Sequence, residues 1–317
     1  MRHVFGPVPS RRLGRSLGID PVPPKTCNWN CVYCQLGRTT PLSRERRSLV
    51  PVGTVLDEVE AALHRCRDAV DWVTFVGSGE PTLHADLGRM IREVQAMAVA
   101  PVAVITNGAL LSREDVRNEL AAADAVLPSL DAGIESLHRA INRPHPGLHL
   151  ESHVEGLAAF RRRFPGQLWV EVMLVRGMND GETALQGLAS ALRRIDPDEV
   201  HLLVPSRPPA EEWVRPPEAG SLDRALRILG AKVRLAPPGT GDVELGREVP
   251  VVDSLIEVIT RHPLSETELQ DALARDLSPQ GVARALRRLR ADDRAQVVER
   301  RGRRFWSSAA YRYAPSR

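Results

Sequence analysis

Cys27, Cys31 and Cys34 are the residues of this chain whose type and spacing best suit chemistry. They lie in the run Lys25-Thr26-Cys27-Asn28-Trp29-Asn30-Cys31-Val32-Tyr33-Cys34-Gln35-Leu36-Gly37, three thiols with no fourth close behind. A cubane 4Fe-4S cluster takes one thiolate per iron, so three thiolates leave one iron open to a small molecule. An open position is what separates a catalytic metal site from a structural one. The competing reading is a structural zinc completed by a His. Cys66, the last of the four cysteines, shares a helical stripe with Val59, Leu63 and Val70 and reads as core. Too few thiolates remain for a second cluster.

Other candidate groups follow apolar runs. Gly77-Ser78-Gly79-Glu80-Pro81 comes after Trp72–Val76, and its glycines allow a sharp turn and a close approach of backbone to ligand. Asn107 precedes Gly108 and reads equally as a ligand contact or as a turn residue. Ser129 and Asp131 are two apart, which in a strand puts them on one face, although a loop cap for the next helix is the alternative. Arg143 offers a guanidinium that can bind a carboxylate in bidentate fashion, or is a solvated Arg in a Pro-rich loop.

These groups need a scaffold, and the pattern supplies one. Strands are expected at Leu17–Asp20, Trp72–Gly77, Val102–Thr106, Ala125–Leu130, Trp169–Val175 and Val200–Val204. Helices are expected at Thr54–Val70, Asp86–Ala98, Ser112–Ala122, His149–Arg163, Glu182–Ile195 and Leu222–Leu229. Such alternation predicts an α/β fold of parallel βα units. In a β/α barrel the functional residues gather at the C-terminal ends of the strands, where the candidate groups lie. With 317 residues, 43% of them hydrophobic, the chain suits a large catalytic domain with a small appendage. No run of eighteen apolar residues is present, and the N-terminal stretch lacks a signal-peptide pattern, so a cytoplasmic protein without membrane contact is expected. Four scattered and clustered Cys do not make a disulfide scaffold.

The C-x3-C-x2-C spacing with the Gly-Ser-Gly-Glu-Pro turn resembles the signature of the radical S-adenosylmethionine (SAM) superfamily. The resemblance implies a partial (β/α)6 barrel and one 4Fe-4S cluster on Cys27, Cys31 and Cys34. Its open iron would chelate SAM, which one electron cleaves to methionine and a 5′-deoxyadenosyl radical. It further implies that Tyr33 shields the cluster and that Gly77, Ser78, Gly79, Glu80 and Pro81 face the SAM ammonium. Asn107, Ser129 and Asp131 would reach the ribose and methionine portions, Arg143 the SAM carboxylate, and Val175 the adenine. A reductant such as flavodoxin or ferredoxin is implied as a partner. With Pro9–Asp20, Leu174–Asp180 and Arg207–Glu211, the chain looks like the Fe-S oxidoreductases similar to wyosine-tRNA synthases. True wyosine synthases carry extra N-terminal cysteines that this chain lacks, which leaves the substrate open.

Ala236–Gly241 is rich in helix and strand breakers and marks an expected boundary, with a catalytic domain over 1–240 and a second domain over 241–317. Helices at Val251–Thr260, Glu266–Ala274 and Pro279–Ala291 precede a hairpin at Gln296–Trp306, an order similar to a winged helix with a core of its own. Ser265 with Glu268 reads as a capping box and Ser278-Pro279 as a helix start. Residues 251–317 carry thirteen Arg against nine Asp and Glu, net +4; the whole chain is +3, so residues 1–250 carry −1. Arg284, Arg287, Arg288 and Arg290 on the third helix, with Arg300, Arg301, Arg303 and Arg304 at the wing, form a phosphate-binding footprint that suits RNA or DNA, with docking of a protein and a merely solvated Arg face as the alternatives. Two functions compete: a SAM-cleaving enzyme acting on an unidentified RNA, peptide or metabolite, and a redox-responsive DNA-binding regulator with an Fe-S or zinc site. The Gly77–Pro81 turn and the Ser129, Asp131 pair, which a sensor does not need, favour the enzyme.

Overall fold

A computed structural model describes residues 2–10, 12–66, 69–97, 99–236 and 250–314. Eight strands form one open sheet in sequence order: β1 (Val4–Ser10), β2 (Gly14–Ile19), β3 (Trp72–Phe75), β4 (Val102–Thr106), β5 (Ala125–Pro128), β6 (Gln167–Met173), β7 (Glu199–Leu203) and β8 (Val233–Leu235). The β1 and β2 strands make an antiparallel hairpin, and β2 through β8 are parallel. Helices fill the crossovers: α1 (Val52–Cys66), α2 (Leu87–Ala96), α3 (Glu114–Leu120), α4 (Glu135–Ile141), α5 (Leu150–Arg161), α6 (Glu182–Ile195) and α7 (Ala219–Leu229). The six expected strands are present, β4 and α6 with the expected bounds.

Strand side chains alternate between two apolar layers, as a parallel sheet covered on both faces requires. Val73, Phe75, Val104, Val126, Val170 and Val172 join the main core with the helices. Their neighbours Trp72, Ala103, Ile105, Ala125, Leu127 and Trp169 pack together on the opposite face, around Leu13 from the β1–β2 turn.

Three elements of this region were not legible in the pattern. The β1 strand contains Gly6, Pro7 and Pro9, which obscure a strand signal and are tolerated only at a sheet edge; its register shifts between Phe5 and Val8. The β8 strand has three residues and only Val233 buried, so it carries no alternation to detect. The α4 helix spans seven residues, about two turns, too short for a clear 3.6-residue period.

Most of the expected linker, 237–241, lies outside the described residues. Beyond it the order is α8 (Val251–Arg261), β9 (Leu264–Ser265), α9 (Glu266–Ala274), α10 (Pro279–Arg290), β10 (Ala295–Arg300) and β11 (Arg303–Ser308). The hairpin recruits β9 antiparallel to β11, a third strand that two residues could not announce in sequence. Leu255, Ile259, Leu264, Leu269, Leu273, Leu289 and Trp306 form a core separate from the main one. Both expected caps are present: Ser265 Oγ accepts from Glu268 N at 3.3 Å within a full capping box, and Ser278 Oγ accepts from Gly281 N at 3.3 Å. Among the described residues no helix is long and apolar enough to cross a membrane.

Candidate metal and cofactor site

Apart from Arg143, which follows α4, the candidate groups fall at the C-terminal edge of the parallel strands. The cysteine loop follows β2, the Gly77–Pro81 turn follows β3, Asn107 follows β4, Ser129 and Asp131 follow β5, and Val175 follows β6. The turn is stitched directly to the cysteine loop, because Lys25 N donates to Ser78 O at 2.7 Å and Glu80 N donates to Thr26 O at 2.8 Å. Gly77 is required here by space: a Cβ on it would overlap the Asp20 carboxylate.

The three loop thiols are free and part-buried, and each sulfur meets a nitrogen donor. Cys27 Sγ accepts from Trp29 N at 3.4 Å and Asn107 Nδ2 at 3.7 Å. Cys31 Sγ accepts from Asn142 Nδ2 at 3.8 Å, and Cys34 Sγ from Lys25 Nζ at 3.4 Å. Desolvation, with the charge of Glu80 behind it, pushes the Cys27 thiol up to about 12. Burial, Asp131 and the other two thiols push Cys31 well up. Two of the three neighbouring thiols, Cys27 and Cys31, thus resist ionisation and become thiolates only when a cation balances them, and iron supplies that charge. The donor set therefore fits the cluster. Among the described residues no group of three or more His, Cys, Asp or Glu is arranged to hold a single metal ion.

Glu80 is engaged within the protein. Its Oε1 accepts from Thr82 N at 3.0 Å, Thr82 Oγ1 at 2.6 Å and Thr106 Oγ1 at 2.5 Å, and its Oε2 from Asn107 N at 2.7 Å. Three donors on Oε1 and one on Oε2 engage this carboxylate, so the side chain anchors the turn. Burial raises its pKa, and these hydrogen bonds oppose the rise. Pro81 opens the short 3-10 turn Pro81–Leu83 that Glu80 caps. The left-handed position falls on Gly108, at φ 76°, while Asn107 Oδ1 accepts from Ala109 N at 2.9 Å and its Nδ2 turns to Cys27 and Asn28.

Asp131 Oδ2 accepts from Tyr33 OH at 2.5 Å and Asn142 Nδ2 at 2.6 Å, and its Oδ1 from Met173 N at 2.7 Å. Tyr33 is thus fixed beside Cys31, and burial next to Asp131 holds its phenol protonated. Ser129 hydrogen-bonds through its backbone, N to Thr106 O at 3.1 Å and O from His153 Nε2 at 2.9 Å. Val175 is fully buried with Val32, Ile141 and Val214 beneath the cysteine loop. Arg143 takes φ 46° and pairs with Glu211 at 2.5 Å, where Arg38 binds the same carboxylate through Nε at 3.0 Å and Nη2 at 2.8 Å. Its charge is matched within the protein, apart from the Ser129 and Asp131 group.

Five site residues escaped the sequence reading: Asp20, Lys25, Asn28, Asn142 and Glu211. Asp20 Oδ2 accepts from Ser78 Oγ at 2.8 Å and Arg261 Nε at 3.1 Å, while its buried Oδ1 has no partner. Lys25 and Asn28 had a usable signal, since both lie within or beside the cysteine motif. Asn142 and Glu211 had none, because only folding brings them to the loop.

A model of the radical SAM superfamily matches residues 22–185. This chain belongs to the radical SAM superfamily. Membership implies a 4Fe-4S cluster and SAM, which is the requirement the thiols meet. The chain is 35% identical over 279 residues to the UPF0026 protein MJ1312 of Methanocaldococcus jannaschii, covering 86% of each. It is also 36% identical over 265 residues to a Brachyspira hyodysenteriae protein named GTPase Obg, covering 83% of this chain but only 39% of that protein. A radical SAM methyltransferase from Sphaerobacter thermophilus has the same fold over 69% of this chain and 65% of its own, with a TM-score of 0.54 and 19% identity.

Proposed function

We propose that this protein is a radical SAM enzyme that holds one 4Fe-4S cluster through Cys27, Cys31 and Cys34 and binds SAM along the adjoining strand ends. The observation that carries the reading is the loop itself: three thiols, each met by a nitrogen donor, bound by two backbone hydrogen bonds to the Gly77–Pro81 turn. A reduced cluster supplies the electron that cleaves SAM and so permits hydrogen abstraction from a substrate. The protein's part is placement and exclusion of water. Backbone carbonyls of Gly77 and Gly79 face the ammonium, Glu80 fixes their turn, and Ser129 with the Tyr33–Asp131–Asn142 network lines the next strand ends. A flavodoxin- or ferredoxin-type protein would deliver the electron.

The tail beyond residue 240 is read as a winged helix that docks a nucleic acid. Arg284, Arg287 and Arg288 are exposed on α10, with Arg301 and Arg303 at the β10–β11 turn, and no ion pair engages them among the described residues. Arg290 and Arg304 are paired with Glu266, and Arg300 is buried, donating to Ala314 O at 2.7 Å, so these three are withdrawn from the expected footprint. Arg287→Glu with Arg303→Glu should weaken binding to many sequences alike, in a salt-dependent assay. A parent chain that binds no nucleic acid at low salt would move the tail to protein docking.

Anaerobic reconstitution should give about four irons per chain, and the reduced protein should release 5′-deoxyadenosine and methionine from SAM. Cys27→Ala, Cys31→Ala or Cys34→Ala should abolish both, and Cys66→Ala neither. A single tightly held zinc in protein purified without oxygen would reject the proposal.

A further inference from the structure

The segment that carries the three cysteines is held at both flanks by residues more than 220 positions away. Before the cysteines, Asp20 Oδ2 accepts from Arg261 Nε at 3.1 Å, a pair whose side chains are 2% and 3% exposed. The same guanidinium lies 4.8 Å over the Phe5 ring and donates to Arg2 O. After the cysteines, Gln35 Nε2 donates to Arg261 O at 3.3 Å, and Gln35 O accepts from Tyr313 OH at 2.7 Å. Arg38 N donates to Arg312 O at 2.7 Å. Gly37 has φ 75° and sits so close to Arg312 that a Cβ would overlap its carbonyl oxygen. Tyr311 OH ties this segment back to Thr260 O at 2.5 Å, one residue from Arg261.

The tail has its own hydrophobic core, yet these contacts are directional and polar and converge on one loop. Separate cores alone would let the tail be removed without consequence for the thiols. The contacts argue otherwise.

We propose that the C-terminal unit is a clamp on the cysteine loop, in which Arg261 and Tyr313 are positioning residues that hold Cys27 to Cys34 in the geometry the cluster needs. Arg261 holds the entry of the loop through its guanidinium on Asp20, and its backbone carbonyl meets the exit at Gln35, so one residue touches both flanks. Tyr313 and the Arg312 backbone fix the exit a second time. Asp20 also accepts from Ser78 N at 3.2 Å, so the clamp extends to the Gly77–Pro81 turn. The role assigned to the loop rests on the proposed cluster, but the clamp itself is testable without metal.

The test measures per-cysteine alkylation rates in the full-length metal-free protein by mass spectrometry, in Tyr313→Phe, Arg261→Gln and Arg261→Lys variants. Loss of one ordinary hydrogen bond should raise Cys34 alkylation about 2- to 10-fold in Tyr313→Phe. Arg261→Gln, which removes the guanidinium but keeps the carbonyl that Gln35 meets, should raise Cys27 by more, and Arg261→Lys should restore part of the protection. Cys66, on α1, should be unchanged in all three. In anaerobically loaded protein, Tyr313→Phe and Arg261→Gln should lose iron to a chelator faster, in the same rank order. Unchanged rates at Cys27 and Cys34, or an equal rise at Cys66, would overturn the clamp. A parent that alkylates as expected but never loads iron would reject the cluster and leave the clamp standing.

Discussion

Strand β2 has a buried ion pair at each end, and the two do different things. Ahead of it, in the hairpin turn, Arg12 meets Glu171 of β6 at 2.7 Å with side chains 15% and 9% exposed. Behind it, Asp20 meets Arg261 of α8 at 3.1 Å, almost without exposure. The first pair ties the hairpin turn to β6 across the apolar layer that holds Leu13. The second joins three separate pieces: the start of the loop, the Gly77–Pro81 turn and the tail. Burying a charge pair seldom adds net stability, so its value is in what it orients. One pair orients strands, which apolar packing already holds; the other orients loops, which have little else to hold them.

The largest expected effect comes from breaking each pair singly. Arg12→Ala and Arg261→Ala should each cost about 3–5 kcal/mol in denaturant unfolding, because a buried carboxylate loses its partner. Joint replacement then separates the roles. Arg12→Met with Glu171→Leu should bring stability back near the parent, since apolar groups of similar volume can replace a buried pair. Asp20→Leu with Arg261→Met should not restore iron retention, because the hydrogen bonds of Asp20 to Ser78 go with the charge. Recovery of iron retention in the Asp20→Leu, Arg261→Met variant would erase the distinction.

A smaller effect is expected at Gly77. Gly77→Ala pushes a methyl into the Asp20 carboxylate and should cost about 1–3 kcal/mol, as overpacking does. Gly53→Ala, in α1 with open space around it, should be neutral or slightly stabilising. Calorimetric midpoints of the two variants would decide, and equal midpoints would refute the close approach.

The smallest effect is a pH dependence. Burial would raise the Glu268 carboxyl, but Arg207, at 2.5 Å, and the capping-box donors outweigh it and hold the group down to about 2. A depressed carboxyl contributes stability above its unfolded value, 4.5, and that contribution is lost as pH falls toward 2. With the side chain 34% exposed, solvent screening limits it to about 1 kcal/mol or less. Stability should therefore fall more steeply below about pH 4.5 in the parent than in Glu268→Gln. Parallel acid titration curves would remove this contact from the set that fastens the tail.

Much of this molecule is written locally. The cysteine spacing, the glycine turn and the six apolar runs each lie within a few residues, and side-chain chemistry with a period of 2 or 3.6 residues suffices to read them. The capping box at Ser265 and the helix start at Ser278 are legible for the same reason, since donor and acceptor are three residues apart in each. What the sequence could not state is which far-off groups complete the site. Asn142 reaches Cys31, Glu211 gathers Arg38 and Arg143, and Arg261 pairs with Asp20 across 241 positions. An Arg in a charged tail looks alike whether it will be solvated, as Arg287 is, or buried, as Arg261 and Arg300 are. Burial is a property of the assembled surfaces and not of the residue, so only the tertiary structure assigned those arginines their parts.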